Sequence, residues 1–102
     1  LGDGGAHVGF ILDAGYPTWL ISYWSVKQKA YSMEETVRRL TSDTANAAGL
    51  NDRGLLKVGL KADINIIDWE NVGSSDPFMT QDLPAGGKRL MQHTKGYVTT
   101  IV

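Results

Sequence analysis

The residues of this chain that could perform chemistry lie mainly at its beginning, in Leu1-Gly2-Asp3-Gly4-Gly5-Ala6-His7-Val8-Gly9. Glycines flank Asp3 on both sides, so a ligand or the backbone can approach its carboxylate closely. Such a carboxylate can act as a general base if another group holds a water molecule against it. The alternative is that Asp3 bonds amides of its own loop in an Asx turn, and composition alone favours this structural role.

Metal and phosphate binding are the two other kinds of site to weigh. The chain has no cysteine and only two histidines, His7 and His93, so a zinc site of three or four ligands needs carboxylates from distant positions. His93 is interpreted as an ordinary surface histidine, whereas His7 follows Asp3 by four residues in the same loop. Residues 2–7 begin like a dinucleotide-binding fingerprint, but His7 stands at the place of the third glycine. A phosphate-binding loop is therefore the weakest hypothesis.

Composition excludes several classes of protein. A length of 102 residues supports one domain at most, and the absence of cysteine excludes a disulfide framework and a cysteine nucleophile. The net charge of -1 gives no electrostatic footprint for nucleic acid or for an anionic membrane. No apolar run approaches the roughly 20 residues that span a bilayer. We expect a cytoplasmic protein with neither nucleic acid nor membrane as its partner.

The first half of the chain is predicted to be helical. Pro17 suits a first helical turn, and the aromatic spacing after it predicts a helix over 17–29, with Trp19 and Trp24 on its buried face. Ser32-Met33-Glu34-Glu35 fits a capping box, in which Ser32 caps the amide of Glu35 and Glu35 reaches back. This box predicts a helix over 33–40. A short helix over 43–48 follows, and Gly49 ends it.

Two further patterns concern a helix face and the second half of the chain. Met33, Val37 and Leu40 form one apolar stripe on the helix over 33–40. After Gly49 the pattern changes from helices to turns and strands. We expect turns at 52–54 and 58–59, a strand over 62–68 whose alternation breaks at Ile67, irregular structure over 73–87, and strands over 88–93 and 96–102.

Taken in order, these motifs resemble a known family. Gly2-Asp3-Gly4-Gly5-Ala6-His7-Val8-Gly9 resembles the loop after the last barrel strand of the amidohydrolase superfamily, most closely its N-acyl-D-amino-acid deacylase (D-aminoacylase-like) branch. The resemblance continues in Ser32-Met33-Glu34-Glu35-Thr36-Val37-Arg38-Arg39-Leu40-Thr41-Ser42-Asp43, Gly49-Leu50-Asn51-Asp52-Arg53-Gly54, Gly59-Leu60-Lys61-Ala62-Asp63-Ile64 and Asp82-Leu83-Pro84-Ala85-Gly86-Gly87-Lys88-Arg89-Leu90. The combined order is specific, whereas any one of the motifs alone is weak.

The resemblance implies a fold and a division of the chain. Members of the family have a metal-bearing (β/α)8 barrel and a small β-sandwich built from both chain ends. This chain is then an α+β fragment: residues 1–50 end the barrel, with an active-site loop and C-terminal helices, and residues 51–102 form a β-rich part of the composite sandwich. Gly59 and Asp63 match the turn where the sandwich strand begins. We expect a fragment cut at both ends.

The resemblance also implies the chemistry. The family uses zinc or another divalent ion to activate water, and its ligands come mostly from early strands that this chain does not contain. Asp3 matches the general base that takes a proton from the metal-bound water and later protonates the leaving amine; it is also the one residue here that could itself be a metal ligand. His7, Gly4 and Gly5 match the substrate-binding stretch, although packing within the loop accounts for His7 equally well.

Two hypotheses of different classes follow. In the first, the chain is the C-terminal portion of a metal-dependent hydrolase of non-peptide carbon–nitrogen bonds, with an N-acyl-D-amino acid as its small-molecule substrate, and the chain alone is inactive. In the second, it is a stand-alone α+β module that forms homo-oligomers through unpaired strand edges. Two departures from the family pattern stand out: Gly2 replaces a Ser or Thr before the aspartate, and Thr44 replaces a proline.

Overall fold

The computed structural model describes residues 7–102, in which short helices are followed by a β-ribbon. The helices are α1 (Tyr16–Trp19), which continues directly into a π-helical segment (Leu20–Lys27), α2 (Met33–Leu40) and α3 (Ser42–Ala47). The strands are β1 (Ile64–Ile67), β2 (Gly73–Ser74), β3 (Phe78–Leu83), β4 (Gly87–Met91), β5 (Thr94–Lys95) and β6 (Tyr97–Ile101), and 3-10 turns lie at Asp13–Gly15 and Pro84–Gly86. The described residues are thus α+β.

The six strands form the two sides of one interrupted antiparallel hairpin. β1 pairs with β6, β2 with β5 and β3 with β4, so that the pairs are nested around the turn at Pro84–Gly86. A register shift between Ile66 and Ile67 confirms the predicted break in alternation. The prediction that 73–87 is mostly irregular is wrong, because only Pro84 and Gly86 of its Pro and Gly signals lie in the tight turn, and β2 and β3 form before it.

The ribbon is interrupted on one side by a five-residue loop. Residues 68–72 lie between β1 and β2, whereas Gly96 alone separates β5 from β6 on the opposite side. Gly96 has a φ of +86°, and its carbonyl accepts a hydrogen bond of 2.8 Å from the Asp68 amide. A Cβ built on Gly96 would lie 2.5 Å from Val72 Cα. Glycine is therefore required where the loop crosses the opposite side of the ribbon.

The helix predicted over 17–29 is confirmed, but its buried face is not the predicted one. Trp19 and Trp24 are 51% and 38% exposed, while Thr18, Ile21 and Ser25 are buried. The π-helical turns bring Trp19 and Tyr23 into a stack of 5.0 Å, with Trp24 edge-on to both rings. The rings therefore pack against one another on the outer side of the helix, and smaller side chains face the rest of the chain.

The predicted helix over 33–40 is confirmed as α2, with half of its capping box. Ser32 Oγ accepts a hydrogen bond of 3.1 Å from the Glu35 amide. The Glu35 carboxylate does not reach back, because it pairs instead with the Arg39 guanidinium at 2.7 Å. The apolar stripe is not buried within the described chain: Met33 and Val37 are 48% and 43% exposed, and the fully buried residue of α2 is Thr36.

α3 ends at the predicted glycine. Gly49 has a φ of +72°, and its amide donates to the Asn46 carbonyl at 3.1 Å. The Leu50 amide donates to the Ala45 carbonyl at 2.8 Å, which completes a Schellman motif. α3 begins at Ser42, one residue before the predicted start. The predicted turns near residues 54 and 59 are also present, with Gly54 and Gly59 at φ values of +89° and +91°.

The hydrophobic core of residues 7–102 is small. Its buried apolar side chains are those of Ile21, Ala45 and Val72. Large apolar side chains on the ribbon are exposed instead, among them Ile66 at 50% and Val98 at 65%. Much of the apolar surface of both helices and ribbon is therefore not covered by the described part of the chain. Within that part, no helix is long and apolar enough to cross a bilayer.

Candidate active site

The Gly-rich segment is described only from His7 onward. Asp3, Gly4 and Gly5 lie outside residues 7–102, so the predicted base and its neighbouring glycines stay predictions. The same holds for the alternatives of an Asx turn at Asp3 and a phosphate-binding loop over residues 2–7. The structure describes His7, Val8 and Gly9 at the end of this segment, together with the elements that they contact.

His7 begins a turn that is anchored to the ribbon. Its carbonyl accepts hydrogen bonds from the amides of Phe10 and Ile11 at 3.0 and 2.9 Å. The next carbonyl, of Val8, accepts a hydrogen bond of 2.8 Å from the Leu90 amide on β4. The His7 side chain is exposed, and its ring centroid lies 5.2 Å from that of Phe10. The turn therefore holds His7, Val8 and Gly9, the described end of the Gly-rich segment, against the ribbon, and the His7 imidazole is accessible to a ligand.

His93, the other histidine, has a structural environment. It lies just before β5, where its amide donates to Ser75 Oγ at 3.1 Å and its carbonyl accepts from the Ser75 amide at 2.9 Å. Its ring centroid is 4.9 Å from that of Phe78. These contacts hold two sides of the ribbon together, in keeping with the sequence interpretation of His93 as an ordinary surface histidine.

Perturbed carboxyl groups occur at ion pairs and caps elsewhere on the surface. A side-chain hydrogen bond from Arg89 lowers the pKa of Asp82, and one from Arg53 lowers the pKa of Asp52. The pKa of Glu34 is lowered first by a hydrogen bond from its own backbone amide and then by one from Ser32. All three groups stabilise local turns or helix ends, and none of them marks a general acid or base.

A groove that no local sequence pattern predicted lies where α1 meets the ribbon. It has a volume of about 590 Å³, and its lining residues include Asp13, Tyr16, Trp19, Ser75, Asp76 and Gln92. The two carboxylates come from segments about 60 residues apart in sequence, so no local spacing could bring them together. A weak signal exists in Asp13-Ala14-Gly15 and Ser74-Ser75-Asp76-Pro77, since each contains turn-forming residues beside a carboxylate.

Comparison with protein families decides the affiliation of the chain. The family model described as "Amidohydrolase family" matches residues 3–100, which is nearly the whole chain. The chain belongs to the amidohydrolase family. No curated protein and no solved structure matches it in the corresponding comparisons. The superfamily expected from the sequence motifs is thereby confirmed, and the intact protein is a hydrolase.

Amidohydrolases generally use divalent metal ions, so the fit of the described residues to such an ion can be tested. Across residues 7–102, no three histidine, cysteine, aspartate or glutamate side chains come together in a way that could hold one. His7 and His93 each pack beside a phenylalanine ring, as described above. The described residues therefore do not fit a divalent ion by themselves, and we assign no reaction step to a metal here.

The family match also covers most of the Gly-rich segment. The matched region begins at Asp3 and includes Gly4, Gly5 and His7. These residues thus lie within the part of the chain that is similar to amidohydrolases. Their individual roles rest on the motif resemblance.

Proposed function

We propose that the chain is the C-terminal portion of an N-acyl-D-amino-acid deacylase, a hydrolase of non-peptide carbon–nitrogen bonds. In this proposal, residues 1–50 supply the end of a (β/α)8 barrel and residues 51–102 part of a small β-sandwich. The observation that carries the proposal is the match to the amidohydrolase family over residues 3–100, which includes the Asp-Gly-Gly-Ala-His segment from Asp3 to His7.

Asp3 is the proposed general base. Its carboxylate takes a proton from the attacking water and returns a proton to the amine as the carbon–nitrogen bond breaks. Gly4 and Gly5 leave room for the substrate beside this carboxylate, since neither carries a side chain. The described turn at His7 supports a role in substrate binding, because the imidazole is exposed directly after these glycines.

The apolar surface supports the proposed barrel and sandwich assignment. Met33 and Val37 of α2, and Ile66 and Val98 of the ribbon, are between 43% and 65% exposed. Covering the exposed part of each such side chain is worth on the order of 1 kcal/mol, so helices and strands with bare apolar faces are suited to packing against further layers. A barrel wall behind α2 and a second sheet over the ribbon would cover them.

A substrate panel tests the proposed specificity. The longer polypeptide that carries this chain is assayed for release of free leucine from N-acetyl-D-leucine, N-acetyl-L-leucine and D-leucinamide. We expect hydrolysis of the N-acyl-D-amino acid to exceed that of its L enantiomer by at least about tenfold. Equal rates on the two enantiomers, or preference for the amide, would contradict the D-aminoacylase assignment while leaving the chain an amidohydrolase.

A parallel assay concerns the chain by itself. The purified 102-residue chain is expected to release no amine from N-acetyl-D-leucine, with or without added zinc. Measurable zinc-dependent deacylation by it would contradict the proposal that residues outside this chain complete the catalytic centre.

One observation favours the second candidate, an oligomerising α+β module. In the described part of the chain each strand pairs with a single neighbour, so both long sides of the ribbon have unpaired edges. Such edges can pair with the same edge of a second copy. Light scattering of the 102-residue chain over a range of concentrations tests this candidate: a dimer mass supports it, and a strictly monomeric mass at high concentration contradicts it.

A further inference from the structure

The groove between α1 and the ribbon has the dimensions of a small-molecule site. Its volume of about 590 Å³ lies within the roughly 300–1,000 Å³ typical of ligand pockets. One wall comes from the turn at Asp13–Gly15 and from α1, and the other from β2 and the residues after it. Carboxylates, aromatic rings, hydroxyls and one amide line the groove, and none of the described residues that line it is a lysine, arginine or histidine.

Two carboxylates give the groove its charge. Asp13 and Asp76 are both exposed, and they lie on opposite walls. The ion pairs formed among residues 7–102 involve other carboxylates, so neither of these two is neutralised within the described chain. A groove lined by two carboxylates and no cationic side chain attracts positively charged ligands.

Aromatic rings give the groove a second affinity for cations. Tyr16 and Trp19 line it, and they are 43% and 51% exposed. The Trp19 ring is held by its stack on Tyr23, at 5.0 Å and 6° between the ring planes. The face of an indole or phenol ring carries negative charge and attracts a cation placed over it. The same chain already shows such contacts, with Lys27 Nζ 5.6 Å from the Tyr23 ring centroid.

The two walls are fixed relative to one another. Thr18 Oγ1 and Tyr97 Oη share a hydrogen bond of 2.8 Å that joins α1 to β6. A Cβ built on Gly15 would lie 2.9 Å from Gln92 Oε1, so this glycine lets the helix approach the ribbon closely. Gln92 Nε2 in turn donates to the Ser75 carbonyl at 2.8 Å. A site whose walls are held in this way loses little conformational entropy on binding.

From these observations we propose that the groove binds an organic ammonium cation. The carboxylates of Asp13 and Asp76 balance the positive charge, and the rings of Trp19 and Tyr16 contact the alkyl groups on the nitrogen. A hydroxyl or amine elsewhere on the ligand bonds the side chain of Ser75 or Gln92. This site does not depend on the proposed deacylase reaction, because it rests on the residues that line the groove and on the contacts that hold its two walls.

Choline and its neutral carbon isostere, 3,3-dimethyl-1-butanol, test the proposal directly. Each is titrated into the 102-residue chain by calorimetry and by NMR of the Trp19 indole N–H, which is assigned with the Trp19→Phe variant. We expect saturable binding of choline, with the isostere at least about tenfold weaker because it lacks the charge. Equal binding of the two compounds, or no binding up to about 50 mM choline, would overturn the proposal.

Variants locate the site. Asp13→Asn and Asp76→Asn should each weaken choline binding about threefold, as removal of one exposed charge does, and the double variant should weaken it further. Trp19→Leu should weaken binding of choline more than that of the isostere. Glu70→Gln, which removes an exposed carboxylate outside the groove, is the matched control and should leave binding unchanged. Retention of full affinity by the double variant would show that choline binds elsewhere.

Discussion

The hydroxyl oxygens of Thr18 and Tyr97 lie 2.8 Å apart and share a hydrogen bond that joins the first helix to the last strand across 79 positions of the sequence. Thr18 is only 4% exposed, so this bond forms in a largely dry environment. This long-range hydrogen bond holds α1 against the ribbon. It matters because the buried apolar core of residues 7–102 is small. Removal of this bond is therefore expected to lower the free energy of unfolding measurably.

Tyr97→Phe should lower the free energy of unfolding by about 1–2 kcal/mol, because it leaves the buried Thr18 hydroxyl without a partner. Combined with Thr18→Val in a double-mutant cycle, it should show a coupling of about 1 kcal/mol in urea denaturation. Tyr31→Phe is the control, since no hydrogen bond of the Tyr31 hydroxyl occurs among residues 7–102. Additive effects of Thr18→Val and Tyr97→Phe would mean that the bond does not contribute.

Gly96→Ala should be strongly destabilising, by about 3 kcal/mol or more. The substitution imposes a positive φ on alanine and also pushes a Cβ to within 2.5 Å of Val72 Cα. Gly59→Ala separates the two effects, because Gly59 has a similar φ of +91° but nothing within 4 Å of its Cβ position. That variant should lose about 1 kcal/mol in urea denaturation. Equal losses for both would show that the approach of Val72 has no cost.

Ala85→Asn should stabilise the ribbon by about 0.5–1 kcal/mol. Ala85 and Gly86 are the central residues of the turn and have φ values of 58° and 73°, as in a type I′ turn. The Gly87 amide closes this turn on the Pro84 carbonyl. Asparagine adopts positive φ more readily than alanine and is preferred at this position. The melting temperature should rise for Ala85→Asn and not for the control Ala62→Asn; no rise in either would contradict the interpretation.

The ion pair near the tip of the ribbon predicts a dependence of stability on pH. Arg89 Nε and Nη2 donate to the two carboxylate oxygens of Asp82 at 2.8 and 2.6 Å, and these bonds lower the pKa of Asp82. A lowered pKa in the folded state stabilises the fold above the ordinary pKa of the carboxyl group. This contribution is lost as the pH falls through the lowered pKa.

The difference in stability between wild type and Asp82→Asn should therefore shrink as the pH is lowered from about 6 to about 3. Parallel denaturation curves at each pH measure it, and because both groups are exposed, high salt should also reduce the difference. Asp68→Asn serves as the control, since Asp68 has no cationic partner among residues 7–102. A difference that is constant across this pH range would mean that the Asp82–Arg89 pair does not stabilise the ribbon.

Local chemistry made part of the fold predictable from sequence. Ser32 caps α2 and Gly49 ends α3 because each acts on amides or carbonyls within a few residues of itself. The break in alternation at Ile67 was also visible, since it is a property of one strand. Such features depend on neighbours in the chain, and a sequence displays those neighbours directly.

Burial and long-range pairing could not be predicted in the same way. The aromatic spacing after Pro17 indicated a helix, but whether Trp19 is covered depends on residues far away in the sequence. The glycines and prolines of residues 73–87 indicated irregular structure. Much of this segment is nevertheless strand, because β2 pairs with β5 and β3 pairs with β4. Asp13 and Asp76 line the same groove because tertiary contacts bring their segments together, and no local pattern contains such contacts.

Of the site predictions, the superfamily is confirmed and the roles of individual residues stay predictions. The resemblance carried by the Gly-rich segment and the later motifs led to the superfamily, and the family match over residues 3–100 confirms it. The roles of Asp3, Gly4, Gly5 and His7, the zinc ion, the D-aminoacylase branch and the cytoplasmic location stay predictions. The residue roles depend on a substrate, a metal ion and residues before His7, and a local sequence pattern does not specify how these are placed.

The most direct test of the account is the rate of N-acetyl-D-leucine hydrolysis by the Asp3→Asn variant of the longer polypeptide that carries this chain. If Asp3 is the general base, kcat should fall by about 100-fold or more, while the circular dichroism spectrum is unchanged and the matched variant Asp68→Asn keeps wild-type activity. An Asp3→Asn variant whose kcat stays within about threefold of the wild type would contradict the assignment of Asp3 as the base.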